Sequence, residues 1–174
     1  WKATCGIKIA TCEQRVTILD TKPPVLTPKP VDVTVECHQI PNPPVVTTTD
    51  NCGATVTYVE QKVNGNCTDN YILYRTWTAT DGCGNTDVHT QKITVKDSTN
   101  PGLTGFPVDV TVDCNVVPAL SSPGGSDNCD NTVTVTYLGE VRTDGNCPDG
   151  YTLTRTWKAE DNCGNTFTKS QKIT

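Results

Sequence analysis

Tyr71-Ile72-Leu73-Tyr74-Arg75-Thr76-Trp77-Thr78-Ala79-Thr80-Asp81-Gly82-Cys83-Gly84-Asn85-Thr86 returns with few changes as Tyr151-Thr152-Leu153-Thr154-Arg155-Thr156-Trp157-Lys158-Ala159-Glu160-Asp161-Asn162-Cys163-Gly164-Asn165-Thr166. Each copy reads as a strand, a tight turn and the start of a return strand. Tyr71, Leu73, Trp77 and Ala79 share one parity, and Thr76, Thr78 and Thr80 take the other. A period of two is a half-buried strand with a threonine-coated outer face. Asp81-Gly82 and Gly84-Asn85 mark the hairpin turn. Trp1-Lys2-Ala3-Thr4-Cys5-Gly6 is the tail of a third copy, so the chain reads as a segment of something longer.

Outside this stretch the repeat continues. Asp20, Pro30, Cys37 and Cys52 recur 77 positions on, at Asp97, Pro107, Cys114 and Cys129. Cys67 and Cys83 recur 80 positions on, at Cys147 and Cys163, so the second unit carries a three-residue insertion. The expected division is a C-terminal hairpin of a preceding repeat at 1–20, repeat one with its linker at 21–97, and repeat two with its linker at 98–174. Gln14 to Asp20 matches Gln91 to Asp97 and reads as a closing strand. The prolines among Thr21 to Pro30 predict a stiff, extended connector. Strands are expected at Val31–Glu36, Val45–Thr49, Ala54–Val63, Tyr71–Thr80 and Thr86–Lys96, with a poorer one at Ser121–Ser126. No segment shows a 3.6-residue stripe. The fold class that follows is all-β: tandem antiparallel immunoglobulin-like sandwiches.

Units of this size with 34% apolar residues have thin cores and need a brace. The ten cysteines supply it. They are widely spaced, with no Cys-x-x-Cys pair and only His38 and His89 as histidines, which excludes the close ligand pairs of zinc sites. Disulfides imply an oxidising, extracellular compartment. In an immunoglobulin-like strand order, Cys37 and Cys67 lie at one pole, Cys52 and Cys83 at the other. The expected pairs are therefore Cys37–Cys67, Cys52–Cys83, Cys114–Cys147 and Cys129–Cys163. Cys5 and Cys12 either face each other across their short hairpin or pair with residues upstream.

A net charge of −5 excludes a nucleic-acid partner, because no basic patch is present to neutralise phosphates. No apolar run is long enough to span a membrane. No Ser-His-Asp or Cys-His grouping and no phosphate-cradling glycine loop is present, so no catalytic residue is assigned and the chain reads as a non-enzyme. Arg75 and Arg155, on the tryptophan face, are expected at the sandwich rim with their guanidinium groups over an aromatic ring. Asp20, Asp50 and Asp81, with Asn51 and Asn85, fall near one junction; Asp97, Asp127 and Asp161, with Asn128 and Asn165, fall near the next. Oxygen ligands converging between tandem units would hold calcium. The competing reading is that these residues cap turns by bonding their own backbone.

Val31-Asp32-Val33-Thr34-Val35-Glu36-Cys37, Thr49-Asp50-Asn51-Cys52-Gly53, Arg75 to Thr86 and Gln91-Lys92-Ile93-Thr94-Val95-Lys96-Asp97, in that order, resemble the four-cysteine hyalin-repeat-like (HYR-like) modules. Those modules are arrayed in surface adhesins of Bacteroidota, including gliding-motility adhesins exported by the type IX secretion system. The resemblance implies an immunoglobulin-like fold, display at the cell surface, and adhesive or filament-forming duty. The partners it implies are neighbouring repeats of the same chain, lateral copies, and an unnamed surface polysaccharide or protein. Asp97-Ser98-Thr99 fits the short O-glycosylation acceptor motif of these bacteria, at Ser98. Two other roles compete: a dedicated carbohydrate- or protein-binding module, and a non-catalytic spacer of a larger secreted enzyme.

Overall fold

The computed structural model describes residues 1–147 and 149–174. β1 (Lys2–Cys5) and β2 (Lys8–Thr11) form an antiparallel hairpin turning at Gly6, whose φ of 59° suits glycine. The closing strand expected over Gln14–Asp20 does not form. Val16, Ile18 and Leu19 are exposed there, and a two-stranded hairpin offers no sheet face to bury them.

Repeat one contains β3 (Val25–Thr27), β4 (Val33–Glu36), β5 (Thr47–Thr49), β6 (Ala54–Cys67), β7 (Asn70–Asp81) and β8 (Thr86–Lys96). A single 3-10 turn, Cys37–Gln39, follows β4. The main sheet has the order β4-β8-β7-β6, with β4 parallel to β8 and the long strands antiparallel. β3 and β5 form a separate two-stranded ribbon. The proline-rich stretch is thus more than a connector. Its Leu26 is buried against Trp77, Ala79 and Val46, and the Leu26 amide donates to Asp87 Oδ2 at 2.9 Å. Proline tolerates this placement because β3 is an edge strand with few ladder donors to lose.

The alternation along β7 appears directly in its burial: Leu73, Arg75, Trp77, Ala79 and Asp81 are buried, and their neighbours less so. One apolar cluster joins Leu26, Val46, Trp77 and Ala79; a second joins Leu73, Ile93 and Val95, flanked by Val33, Val35 and Ile40. Burying each large member is worth about 1.5–3 kcal/mol. The outer face carries threonines, with Thr76 and Thr90 sharing a cross-strand hydrogen bond at 3.0 Å.

Repeat two follows the same plan with β9 (Gly102–Thr104), β10 (Gly124–Ser126), β11 (Thr134–Asp144), β12 (Tyr151–Glu160) and β13 (Thr166–Ile173). Its sheet has the order β11-β12-β13, β9 pairs with β10, and the counterpart of β4 is reduced to a parallel bridge between Val110 and Ile173. Part of the insertion is absorbed as a β-bulge between Tyr137 and Gly139, where Gly139 takes φ 124°. Beyond the bulge the register recovers, and Glu140 faces Arg155 as Glu60 faces Arg75.

Those arginines are not stacked on rings at the rim. Arg75 is only 3% exposed. Its Nε donates to Glu60 Oε2 at 2.7 Å and its Nη1 to the Pro41 carbonyl at 2.8 Å. Arg155 repeats this with Glu140 at 2.6 Å and Pro118 at 2.8 Å. Each guanidinium fixes the proline turn onto the main sheet. Trp77 and Trp157 each pack on a tyrosine instead, Tyr58 and Tyr137, with centroids 5.3 Å apart in both repeats; Trp77 also stacks on His89, and Trp157 meets Phe106 edge-on.

Candidate functional site: the junction between the repeats

The end of repeat one that carries Cys37, Cys67 and Asp69 abuts the end of repeat two that carries Cys129, Asp161 and Cys163. Cys37 is bonded to Cys129, with Cα atoms 5.9 Å apart, and Cys67 to Cys163, with Cα atoms 5.1 Å apart. None of the four pairs expected within repeats forms. Cys37–Cys67 and Cys129–Cys163 cannot form, because all four cysteines are bonded across the junction. Cys52 and Cys83, Cys114 and Cys147, and Cys5 and Cys12 are free thiols. The poles assigned from strand order hold, but the cysteines at a pole bond the facing pole of the neighbouring unit. Sequence periodicity had a signal for this that is ambiguous by construction. Cys37 and Cys67 are expected to bond each other because they share a pole; each instead bonds the cysteine of the next repeat, Cys129 or Cys163, that corresponds to Cys52 or Cys83.

Polar contacts reinforce the same seam. Asn128 Nδ2 lies 2.8 Å from His38 Nδ1, Asn162 Nδ2 donates to Asp69 Oδ2 at 2.7 Å, and Asn165 Nδ2 donates to the Asp97 carbonyl at 3.3 Å. Ser98, the O-glycosylation candidate, is exposed, and its hydroxyl hydrogen-bonds Glu36 Oε1. That bond, with the Ser98 amide, holds the Glu36 carboxyl below its ordinary pKa. Cys37, His38 and Cys129 lie close together, but the two sulfurs are consumed in the disulfide and offer no thiolate to a metal.

Six aspartates occupy corresponding places at the two ends. Asp20, Asp50 and Asp81 bring one carboxylate oxygen each within 4.8 Å of one another. The hairpin turn fixes Asp81: its Oδ1 accepts from the Cys83 and Asn85 amides at 2.8 and 2.9 Å, and its Oδ2 from Asn85 Nδ2 at 2.7 Å. These bonds, Asn85's side chain foremost, hold its pKa below the usual value. Asp161 repeats the geometry with Cys163 and Asn165. Asp50 Oδ2 accepts from the Cys52 amide at 2.7 Å, and Asp127 Oδ2 from the Cys129 amide at 2.7 Å. Turn capping is thus real for these residues: it engages both oxygens of Asp81 and Asp161, but only one of Asp50 and of Asp127. Asp97, 5% exposed, has its pKa raised, first by burial and then by the charges of Asp127, Asp161 and Asp69. At the other end the Lys22 amide, and next the nearby Cys52 side chain, lower the pKa of Asp20, while Asp81 opposes them.

No family model and no curated protein matches the chain. Solved structures that align with the chain include Drosophila N-cadherin EC1–4, at 12% identity and TM-score 0.38, covering 87% of this chain and 49% of that one. Protocadherin gammaB7 EC3–6 aligns at 10% identity and TM-score 0.38, over 95% of this chain and 55% of that one. Human mucin-like protocadherin EC1–2 aligns at 13% identity and TM-score 0.33, over 86% and 96%. The chain spans about half the length of the N-cadherin structure.

Proposed function

We propose that this chain is a structural and adhesive segment of a long, repetitive extracellular filament, of the four-cysteine hyalin-repeat-like kind that its sequence resembles. One observation carries the reading: two disulfides run between repeats, not within them. A brace inside a small domain keeps that domain folded. A pair of covalent bonds across a junction fixes how one domain sits on the next and lets load pass between them without passing through the intervening chain.

The pattern is extendable. Cys52 and Cys83 are the periodic equivalents of Cys129 and Cys163, and Cys114 and Cys147 those of Cys37 and Cys67. The free thiols therefore stand where further repeats of the same kind, in the same chain, attach by the same two bonds. Closing a disulfide requires removal of two electrons and two protons; thiol–disulfide exchange with an oxidised small-molecule or protein disulfide supplies this. Repetition then serves spacing and polyvalent weak contact, in which avidity replaces the affinity of any one site. Display at the cell surface, O-glycosylation at Ser98 and lateral association with other copies belong to this same reading. The competing binding-module reading places ligand contacts in the loops Asp127-Asn128-Cys129 and Cys163-Gly164-Asn165, but those loops are occupied by the neighbouring repeat.

Single-molecule pulling on the oxidised chain tests the load-bearing role. The Cys37–Cys129 bond spans 92 positions, so it withholds about 300 Å of contour length that reduction releases, at roughly 3.4 Å per residue. Equal contour lengths before and after reduction would overturn the proposal.

A further inference from the structure

Among the described residues, four carboxylate oxygens are buried with no hydrogen-bond partner: Asp20 Oδ2, Asp50 Oδ1, Asp97 Oδ2 and Asp127 Oδ1. They are the same two atoms of the same two residues, 77 positions apart in each case. A buried acceptor without a partner is costly, and accidental orphans do not recur at equivalent atoms. None of the ion pairs among the described residues involves Asp20, Asp50, Asp81, Asp97, Asp127 or Asp161. Three carboxylates within 4.8 Å of one another, none of them in an ion pair, repel one another.

We propose that Asp20, Asp50 and Asp81 form one calcium site and Asp97, Asp127 and Asp161 a second, each seated where an incoming chain segment meets a repeat. The donor set is all oxygen and all anionic, which suits a hard divalent cation and not a soft one. The first set already brings one oxygen of each member within 4.8 Å of the others; the second is assigned by the 77-residue repeat of the same unpartnered atoms and by the buried, unpartnered Oδ2 of Asp97. Asp81 and Asp161 are locked by their own hairpin turns, and Asp50 and Asp127 spend one oxygen on a backbone amide. The remaining oxygen of Asp50 and of Asp127 is the unpartnered one, as is one oxygen of the segment-borne Asp20 and Asp97. Asp97, the most deeply buried of the unpartnered carboxylates, sits in the field of both other members of its set. Glu36 also brings an oxygen near Asp97, so the second site has an additional carboxylate from repeat one. Water completes a coordination shell of six to eight oxygens. Each cation would tie the linker aspartate to two loops of the following repeat, which fixes the linker's entry angle independently of the disulfides.

The test uses the full oxidised chain, stripped with EGTA and titrated with calcium chloride by calorimetry, with thermal unfolding followed in parallel. Two binding events are expected at dissociation constants of about 0.1–1 mM, the range of extracellular calcium modules. At about 5 mM calcium the unfolding midpoint should rise by about 5–10 °C over the EGTA sample. Magnesium, which demands tighter octahedral geometry, should give less than half that shift. Asp50→Asn with Asp127→Asn keeps an oxygen for each backbone amide while removing the unpartnered charge. That variant should melt in EGTA no lower than the parent and lose the calcium shift. A parent chain with no calcium heat and an unchanged midpoint, or a variant that keeps the full shift, would overturn the proposal.

Discussion

Cys67 is joined to Cys163, 96 positions along the chain, whereas the periodic copy of Cys67 is Cys147, which is free. The bond therefore joins unlike positions of like units, the head of one repeat to the tail of the next. An interface of that kind does not close on itself; it propagates along an axis. Chain entropy alone assigns a loop of nearly this length about 4–5 kcal/mol. Here that constraint acts mainly on the relation between repeats, since each sheet forms from its own strands.

Reduction should thus loosen the junction before it unfolds the repeats. In dithiothreitol the far-ultraviolet circular dichroism is expected to change little at 25 °C, while small-angle scattering reports a broader distribution of end-to-end distances. Loss of the β signal on reduction would show instead that the bonds are needed for each fold.

A buried arginine holds the proline turn against the main sheet in each repeat. Arg75→Ala leaves the Pro41 carbonyl without its donor and Glu60 without its cation. Because Glu60 is more than a third exposed, water recovers part of the loss, and chemical denaturation should give a destabilisation of about 2–4 kcal/mol. Glu60→Gln, which retains an acceptor, should cost about 1 kcal/mol.

Apolar packing should show the opposite sensitivity, to added volume as well as to lost volume. Ile93, fully buried, should cost about 2–5 kcal/mol as Ile93→Ala. In repeat two, a Cβ at Gly125 would lie 2.4 Å from Val133 Cγ1, so Gly125→Ala should cost about 1–3 kcal/mol as Val133 or the backbone shifts. Urea midpoints at constant m-value check both.

Acid should act in two directions at once. Asp81 and Asp87 have lowered pKa values in the folded chain, through Asn85 and through the Leu26 amide with Lys29 respectively. Their stabilisation is present above the ordinary carboxylate pKa and is lost as pH falls through the folded values. Asp97, raised by burial and by Asp127, Asp161 and Asp69, contributes a penalty that is full above its folded pKa and disappears as pH falls below its ordinary value. In EGTA at pH 7, Asp97→Asn should therefore melt higher than the parent. The gap should shrink as pH approaches 4; a constant gap would remove the electrostatic explanation.

The sequence alone determined that this protein is all-β and repetitive. Alternation along Tyr71–Asp81 assigns a buried and an exposed face, because successive side chains in a strand point oppositely and solvent sorts them. It also placed Asp20, Asp50 and Asp81 near one end, since the turns that carry them recur at fixed spacing. It did not reveal that Val25-Leu26-Thr27 is a strand, because three residues between prolines carry no period and gain their place only from Trp77 and β5. Nor did it place Arg75, whose parity was legible but whose partners, Glu60 and Pro41, are brought near only by the folded sheet. Above all, it put the sulfur pairs within each repeat, whereas the folded chain puts them between repeats. In a tandem repeat every cysteine has an equivalent partner one period away, and only the three-dimensional seating of one repeat on the next decides between them.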